Sequence, residues 1–235
     1  MDSNVPILEV RDVRKRFGGV QALSGCSFSV ADREIVGLIG PNGSGKTTLF
    51  NILVGYIPLD GGRILFRGES IVGLRPYQVA RRGIGRTFQI TRIFQKMTLL
   101  ENLLLPAREE SATQKAHELL ELVGLSEFVN EYANDLSFGQ QRLLSIIQVL
   151  MLDPALVLLD EPAAGVNPTM QNRIVDLVHH LNRDGRTFVI IEHNMDLIMN
   201  NCQRIIVLNM GEKIAEGPPE AVRSDPTVLT AYFGS

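Results

Sequence analysis

Glu34-Ile35-Val36-Gly37-Leu38-Ile39-Gly40-Pro41-Asn42-Gly43-Ser44-Gly45-Lys46-Thr47-Thr48-Leu49-Phe50 is the stretch on which the fold of this chain turns. Ile35 to Ile39 is apolar and β-branched, the pattern of a buried strand. A loop with three glycines follows, and Thr47-Thr48-Leu49-Phe50 continues as a helix. Gly40 to Thr47 fits G-x-x-x-x-G-K-[ST] at every fixed position, and the strand–loop–helix setting is the one that gives this pattern meaning. Glycines let successive N–H groups face one polyphosphate, and the helix N-terminus adds the positive end of its dipole. Lys46 is then placed for the β- and γ-phosphates and the Thr47 hydroxyl for Mg²⁺. A chance glycine-rich turn with a lysine would not bring the flanking strand and helix with it. The stretch predicts binding of a nucleoside triphosphate.

Composition sets bounds around that. A chain of 235 residues, 45% hydrophobic, can bury a large core. A formal net charge of −3 gives no global basic field, so neither nucleic acid nor anionic lipid is an expected partner. Cys26 and Cys202 lie far apart without metal-ligand spacing and read as reduced core residues of a cytosolic protein. The N-terminus is acidic and polar, unlike a signal peptide. Leu143 to Leu152 is the longest nearly apolar run and is too short to span a bilayer, so membrane association has to come through a partner.

Upstream of the loop, Ile7 to Phe17 alternates like a half-buried strand and ends at Gly18-Gly19. Phe17 could stack on an adenine ring or simply close the strand; this feature alone does not choose. Ser27 to Val30 and Gly61 to Gly68 read as further short strands, several of them antiparallel. Pro76 to Arg82 is a predicted helix, and Ile84 to Gln89 a strand ending on an amide. From Ile90 to about Leu136 the pattern turns helical, with helices expected over Glu101 to Ala107 and Ala112 to Val123. His117 falls on the charged face.

Leu136-Ser137-Phe138-Gly139-Gln140-Gln141 opens a helix that runs to about Met151. Ser137 suits its N-cap, and Gly139 in the first turn would let backbone approach an anion; taken alone, a plain capped helix explains both. Ala155 to Pro162 reads as a buried, parallel-type strand ending on Asp160 and Glu161. Acids at the C-terminal end of such a strand sit at the ligand edge of an open α/β sheet. Asp160 fits a metal role, and Glu161 could polarise an attacking water. After a helix over Thr169 to Arg183, with His179 and His180 on its surface, the strand Arg186 to Ile191 delivers Glu192-His193 to the same edge. A lone histidine is usually structural, but one placed there can reach a γ-phosphate. Ile205 to Leu208 and Lys213 to Ala215 form a hairpin, and short helices over Pro219 to Arg223 and Pro226 to Phe233 finish the chain.

With these residues laid out, the chain resembles the ATP-binding subunits of ABC transporters along essentially its whole length, because seven motifs occur in that family's order. The resemblance implies an α/β fold: a P-loop NTPase (RecA-like) core with an antiparallel β subdomain and an inserted α-helical subdomain. One nucleotide-binding domain would span 1–235, its catalytic core about 1–89 and 141–235 and its helical subdomain about 90–140. By the resemblance, Phe17 stacks on adenine, and Gly40, Pro41, Asn42, Gly43, Ser44, Gly45, Lys46, Thr47 and Thr48 form the Walker A loop and its helix start. Gln89 takes the Q-loop position. Ser137, Gly139 and Gln140 belong to the LSGGQ signature, Asp160 ends Walker B, and Ala164 to Asn167 occupy the D-loop. Glu161 is implied as catalytic base, with His193, Gln89 and Lys46 acting beside it. Mg²⁺ is implied on Thr47, Gln89 and Asp160, with ATP as nucleotide.

Phe138 stands where the family has the first signature glycine, and Asn167 where it has a D-loop aspartate. Both resemble the branch serving branched-chain amino acid importers, as do Gly85 to Gln89, Met97 to Asn102, Asp160 to Gly165 and the Ala231-Tyr232-Phe233-Gly234 ending. The implied partners are transmembrane permease subunits, a second ATP-binding subunit in a head-to-tail homo- or heterodimer, and indirectly a periplasmic or extracellular solute-binding protein, with no nucleic acid. The implied location is the cytoplasmic face of the plasma membrane, peripheral through the permease. The alternatives are an ABC ATPase for another solute, a soluble ABC ATPase, a small-molecule P-loop kinase and a regulatory nucleotide-binding module. The first shares these motifs; a soluble ABC ATPase acting on DNA ends or ribosomes would need a long coiled coil between two halves or two cassettes in one chain, and the sequence shows neither. The kinase would lack the signature and His193, and the module would lack Glu161.

Overall fold

A computed structural model describes residues 5–88, 93–107 and 111–233. Its centre is a strand, β3 (Ile35–Ile39), every residue of which is buried. Val36 and Leu38 point into one core, Ile35 and Ile39 into another. The same alternation recurs in β7 (Leu156–Asp160), β8 (Thr187–Ile191) and β9 (Arg204–Asn209), so each strand is apolar on both sides. Strands of that kind form a sheet covered on both faces. The sheet order is β10-β9-β3-β8-β7-β6, with β6 (Ile84–Arg86) joining in parallel and β10 (Glu212–Gly217) antiparallel at the other edge.

One face packs against α1 (Lys46–Leu53) and a second, antiparallel sheet in the order β2-β1-β4-β5. These strands are β1 (Leu8–Phe17), β2 (Val20–Val30), β4 (Gly61–Phe66) and β5 (Glu69–Ser70). The expected antiparallel layer is present, and β2 begins earlier than the sequence pattern suggested. The helix α2 (Pro76–Arg82) follows it and ends at Gly83, directly before β6.

The other face is covered by helices. α5 (Phe138–Leu150) buries Leu143, Leu144, Ile146 and Ile147 against Val157, Leu159 and Ile190 of the sheet. α3 (Leu99–Leu104) and α4 (Ala112–Leu122) extend the same cluster through Leu99, Leu103, Ala116 and Leu120. The inserted helical stretch therefore shares one continuous core with the sheet. Its single strand-like feature among the described residues is an isolated bridge, Thr98 to Tyr132. α6 (Pro168–Arg183), α7 (Met195–Asn201), α8 (Pro219–Arg223) and α9 (Pro226–Phe233) complete this layer.

Several boundaries differ from expectation. α3 starts at Leu99 because Thr98 and Glu101 form a reciprocal capping box. β6 stops at Arg86, short of the expected amide. α7 was not foreseen. His179 is half-buried, its Nε2 lying 3.1 Å from Asn201 Oδ1, and is not the solvated residue its sequence suggested. Cys26 and Cys202 are free and buried.

Candidate nucleotide site

The carboxyl ends of β3, β7 and β8 meet at one edge, and each delivers a functional candidate there. Beyond β3, Gly40 opens the phosphate loop. A Cβ on Gly40 would lie 2.0 Å from the Leu208 carbonyl oxygen, so no other residue lets the loop leave the sheet here. The loop is braced from the β9–β10 turn, where Gly211 N–H donates to the Ser44 carbonyl at 3.1 Å. Gly45, in the left-handed region at φ 105°, sets the start of α1.

Lys46 is curled back into this loop. Its Nζ donates to the carbonyls of Gly40 at 2.7 Å and Pro41 at 2.9 Å, and lies 3.3 Å from Ser44 Oγ. Burial pushes the ammonium below its ordinary pKa, and the charges of Glu161 and Asp160 pull it back up. Thr47 is exposed at the mouth, and Thr48 is half-buried beside it.

Asp160 is almost fully buried, and Arg86 Nη2 donates to its Oδ2 at 2.8 Å. Arg86 also donates through Nη1 to Asn51 Oδ1 at 2.7 Å, and its guanidinium lies over the rings of Phe50 and Phe88. This arginine ties Walker B, α1 and the strand before the Q-loop position together. Glu161 has φ 49°, a left-handed conformation that is unusual for a non-glycine residue. Its N–H donates to the Ile191 carbonyl at 2.9 Å, and its Oε1 lies 2.9 Å from His193 Nε2. Glu161 and His193 thus meet across the β7–β8 edge.

Phe17 ends β1 about half-exposed, with Lys15 Nζ 5.4 Å from its ring centroid. Ser137 caps α5: Gln140 N–H donates to its Oγ at 3.4 Å, and its own N–H donates to Gln140 Oε1 at 2.9 Å. Gly139 has a packing reason as well, since a Cβ there would come 2.7 Å from Met170 Cγ on α6. Phe138 lies over the loop before α6, where a Cβ on Gly165 would sit 3.3 Å from Phe138 Cε1. Asn167 caps α6 by accepting the Met170 N–H at 2.9 Å, a bond an aspartate could make equally. Ser137, Gly139 and Gln140 mark the start of α5, apart from the Lys46–Asp160–Glu161–His193 group. Gln89 lies outside the described residues.

Three residues at this edge were given no role at the site by the sequence. Arg142 is buried on α5, donates to the Phe88 carbonyl at 3.0 Å, and feels the charges of Glu192, Glu161 and Asp160. Tyr232 on α9 is half-buried and faces the Gly40 backbone; burial pushes its hydroxyl pKa up. α9 and the phosphate loop together line a cleft of about 720 Å³ that also takes in Met210. Glu192 is the third, buried beside Ala163 and His193.

The family described as "ABC transporter" matches residues 23–164, and one described as "Branched-chain amino acid ATP-binding cassette transporter" matches residues 212–235. The chain is 41% identical to the high-affinity branched-chain amino acid transport ATP-binding protein BraF of Pseudomonas aeruginosa, covering 97% of this chain and 98% of that one. It is 39% identical to the Escherichia coli counterpart LivG over the same shares of each chain. Among solved structures, the ADP conformation of the ATP-binding cassette MJ1267 superposes with a TM-score of 0.92 at 36% identity, covering 98% of this chain and 100% of that one. The dimeric post-hydrolysis state of the cassette MJ0796, bound to ADP and phosphate, gives a TM-score of 0.81 at 28% identity over 90% of this chain and 98% of that one.

Proposed function

The chain belongs to the ABC transporter family of ATP-binding subunits, whose members bind and hydrolyse ATP, and from that premise we propose that it energises import of branched-chain or similar amino acids. The observation that carries the chemistry is the meeting of Glu161 with His193, 2.9 Å apart, within the electrostatic reach of Lys46. In this reading the loop N–H groups from Asn42 to Thr48 cradle the phosphates, and Lys46 exchanges its carbonyl partners for phosphate oxygens. Glu161 accepts a proton from a water as that water's oxygen bonds to the γ-phosphorus. The bond to the β-bridging oxygen then breaks, releasing ADP and phosphate. His193 holds the Glu161 carboxylate on one side and faces the γ-phosphate on the other. Phe17 stacks on the adenine.

Thr47 and Asp160 are hard oxygen donors at the right edge of the sheet for Mg²⁺, and one Asp160 oxygen is already held by Arg86. Gln89 is assigned to the same metal by the family pattern. A divalent cation there would neutralise charge on the β- and γ-phosphates. Ser137, Gly139 and Gln140 are read as acting in trans, the α5 start of one subunit covering the phosphate loop of its partner under two-fold symmetry.

Permease subunits are read as docking on the helical stretch that follows the Q-loop position. Tyr56, Tyr77 and Leu152, all substantially exposed, line a groove of about 500 Å³ that Ala107 and Lys115 close. Phe94 stands exposed nearby in sequence, with Ile93 and Met97 half-buried beside it. No helix among the described residues is long and apolar enough to cross a membrane. Attachment at the cytoplasmic face through the permease belongs to the same proposal. Copurification with two hydrophobic permease subunits, and leucine uptake by vesicles holding the complex, test the proposal. ATP-dependent uptake is expected. A complex that hydrolyses ATP but moves no aliphatic amino acid would contradict it.

A further inference from the structure

Glu192 is only 4% exposed, sits at the end of β8, and plays no part in the hydrolysis scheme above. Each oxygen of its carboxylate nevertheless accepts a backbone hydrogen bond. Oε1 accepts the Ala163 N–H at 2.7 Å, and Oε2 accepts the His193 N–H at 3.2 Å. Ala163 lies two positions beyond Glu161, in the turn that follows β7. One buried carboxylate therefore ties the turn that carries Glu161 to its own strand end, which carries His193.

We propose that Glu192 is a positioning residue that fixes the contact between Glu161 and His193. The physical reason is the backbone of Glu161. A residue held at φ 49° keeps that conformation only while its surroundings over-determine it. The Ile191 carbonyl takes the Glu161 N–H from one side, and Glu192 takes the Ala163 N–H just beyond. Remove the second restraint and the turn can relax toward the β region, carrying the Glu161 carboxylate away from His193. Burying a carboxylate is costly, and its pKa is pushed up accordingly by desolvation. An apolar residue would spare that cost but could not accept two divergent N–H groups.

The inference rests on the reading of Glu161 as the base, and the experiment separates the two. Glu192→Gln offers one acceptor oxygen in place of two, and Glu192→Ala offers none. ATP affinity and KM should stay near wild type, since neither variant touches the phosphate loop. The turnover number should fall in the order wild type, Gln, Ala, reaching a loss of about 10²-fold in the alanine variant, as expected for a misplaced catalytic group. Combining Glu192→Gln with Glu161→Gln should cost no more than Glu161→Gln alone, because both act through one carboxylate. If Glu192→Ala does not fold, the glutamine variant and this double combination decide. An inactive Glu161→Gln beside Glu192→Gln at wild-type turnover, or losses that add, would overturn the positioning role. A Glu161→Gln variant with near-normal turnover would instead overturn the reading of Glu161.

Discussion

His193 Nε2 stands 2.9 Å from Glu161 Oε1, joining residues that leave the sheet on two different strands. The histidine side chain is half-exposed while the glutamate is largely covered, so solvent reaches the pair through its imidazole. His193→Ala should leave ATP binding intact and lower turnover by about 10²-fold, within the range for a group acting on proton transfer. Nucleotide affinity by fluorescence and steady-state ATPase activity check this together. Unchanged turnover would mean that the contact is structural only.

Among the described residues, the side-chain bonds of Ser137 go to Gln140 and not to the phosphate loop of its own chain. A Ser137→Arg subunit should therefore bind ATP as an isolated monomer with wild-type affinity, yet fail to form an ATP-dependent dimer. Loss of the cap should also lower stability by about 1 kcal/mol. Weakened ATP binding by the monomer would count against the head-to-tail arrangement.

Phe94 is half-exposed, although its backbone is pinned by buried Asn102, whose Oδ1 accepts the Phe94 N–H at 2.8 Å. Its position is thus fixed while its ring is left outside. Phe94→Asp should keep basal ATPase activity and solubility, and abolish transport by the assembled complex. An insoluble variant would mean the ring is core, and continued transport would move the coupling surface elsewhere.

The sign of pH dependence at Glu192 follows from its surroundings. Desolvation pushes its carboxyl above the ordinary 4.5; the Ala163 and His193 N–H groups oppose this, Glu161 pushes it further up and the His193 charge pulls it down. The Glu192 charge is felt in turn by the buried Arg142 guanidinium. The folded chain therefore holds this proton to higher pH than the unfolded chain. The stability it contributes is full below about 4.5 and is lost as pH rises through the folded value. Thermal unfolding from pH 4.5 upward should accordingly favour Glu192→Gln over wild type by a margin that grows with pH and then levels. A margin independent of pH would contradict the assignment.

The sequence made β3, its loop and α1 legible because the motif and the two-sided apolar strand support one another. β7 and β8 were legible for the same reason, each ending on acids or a histidine. α7 was not, since its seven residues bury only Ile198 and Met199. The available signal was Gly37 in the middle of β3: a Cβ there would come 2.7 Å from Ile198 Cγ2, so the glycine marks a helix lying close on the strand. Arg86 stayed hidden because its carboxylate partner is 74 positions away. Glu192 was placed at the ligand edge, but its inward turn stayed hidden, because alternation along a strand does not say which way the acid after the last strand residue points.

Replacing Glu161 by glutamine tests the central claim most directly, since it keeps size and polarity but removes the base. ATP should still bind, turnover should fall by about 10²-fold or more, and ATP should now hold two subunits together as a stable dimer on gel filtration. Near-normal turnover with no ATP-dependent dimer would contradict the account.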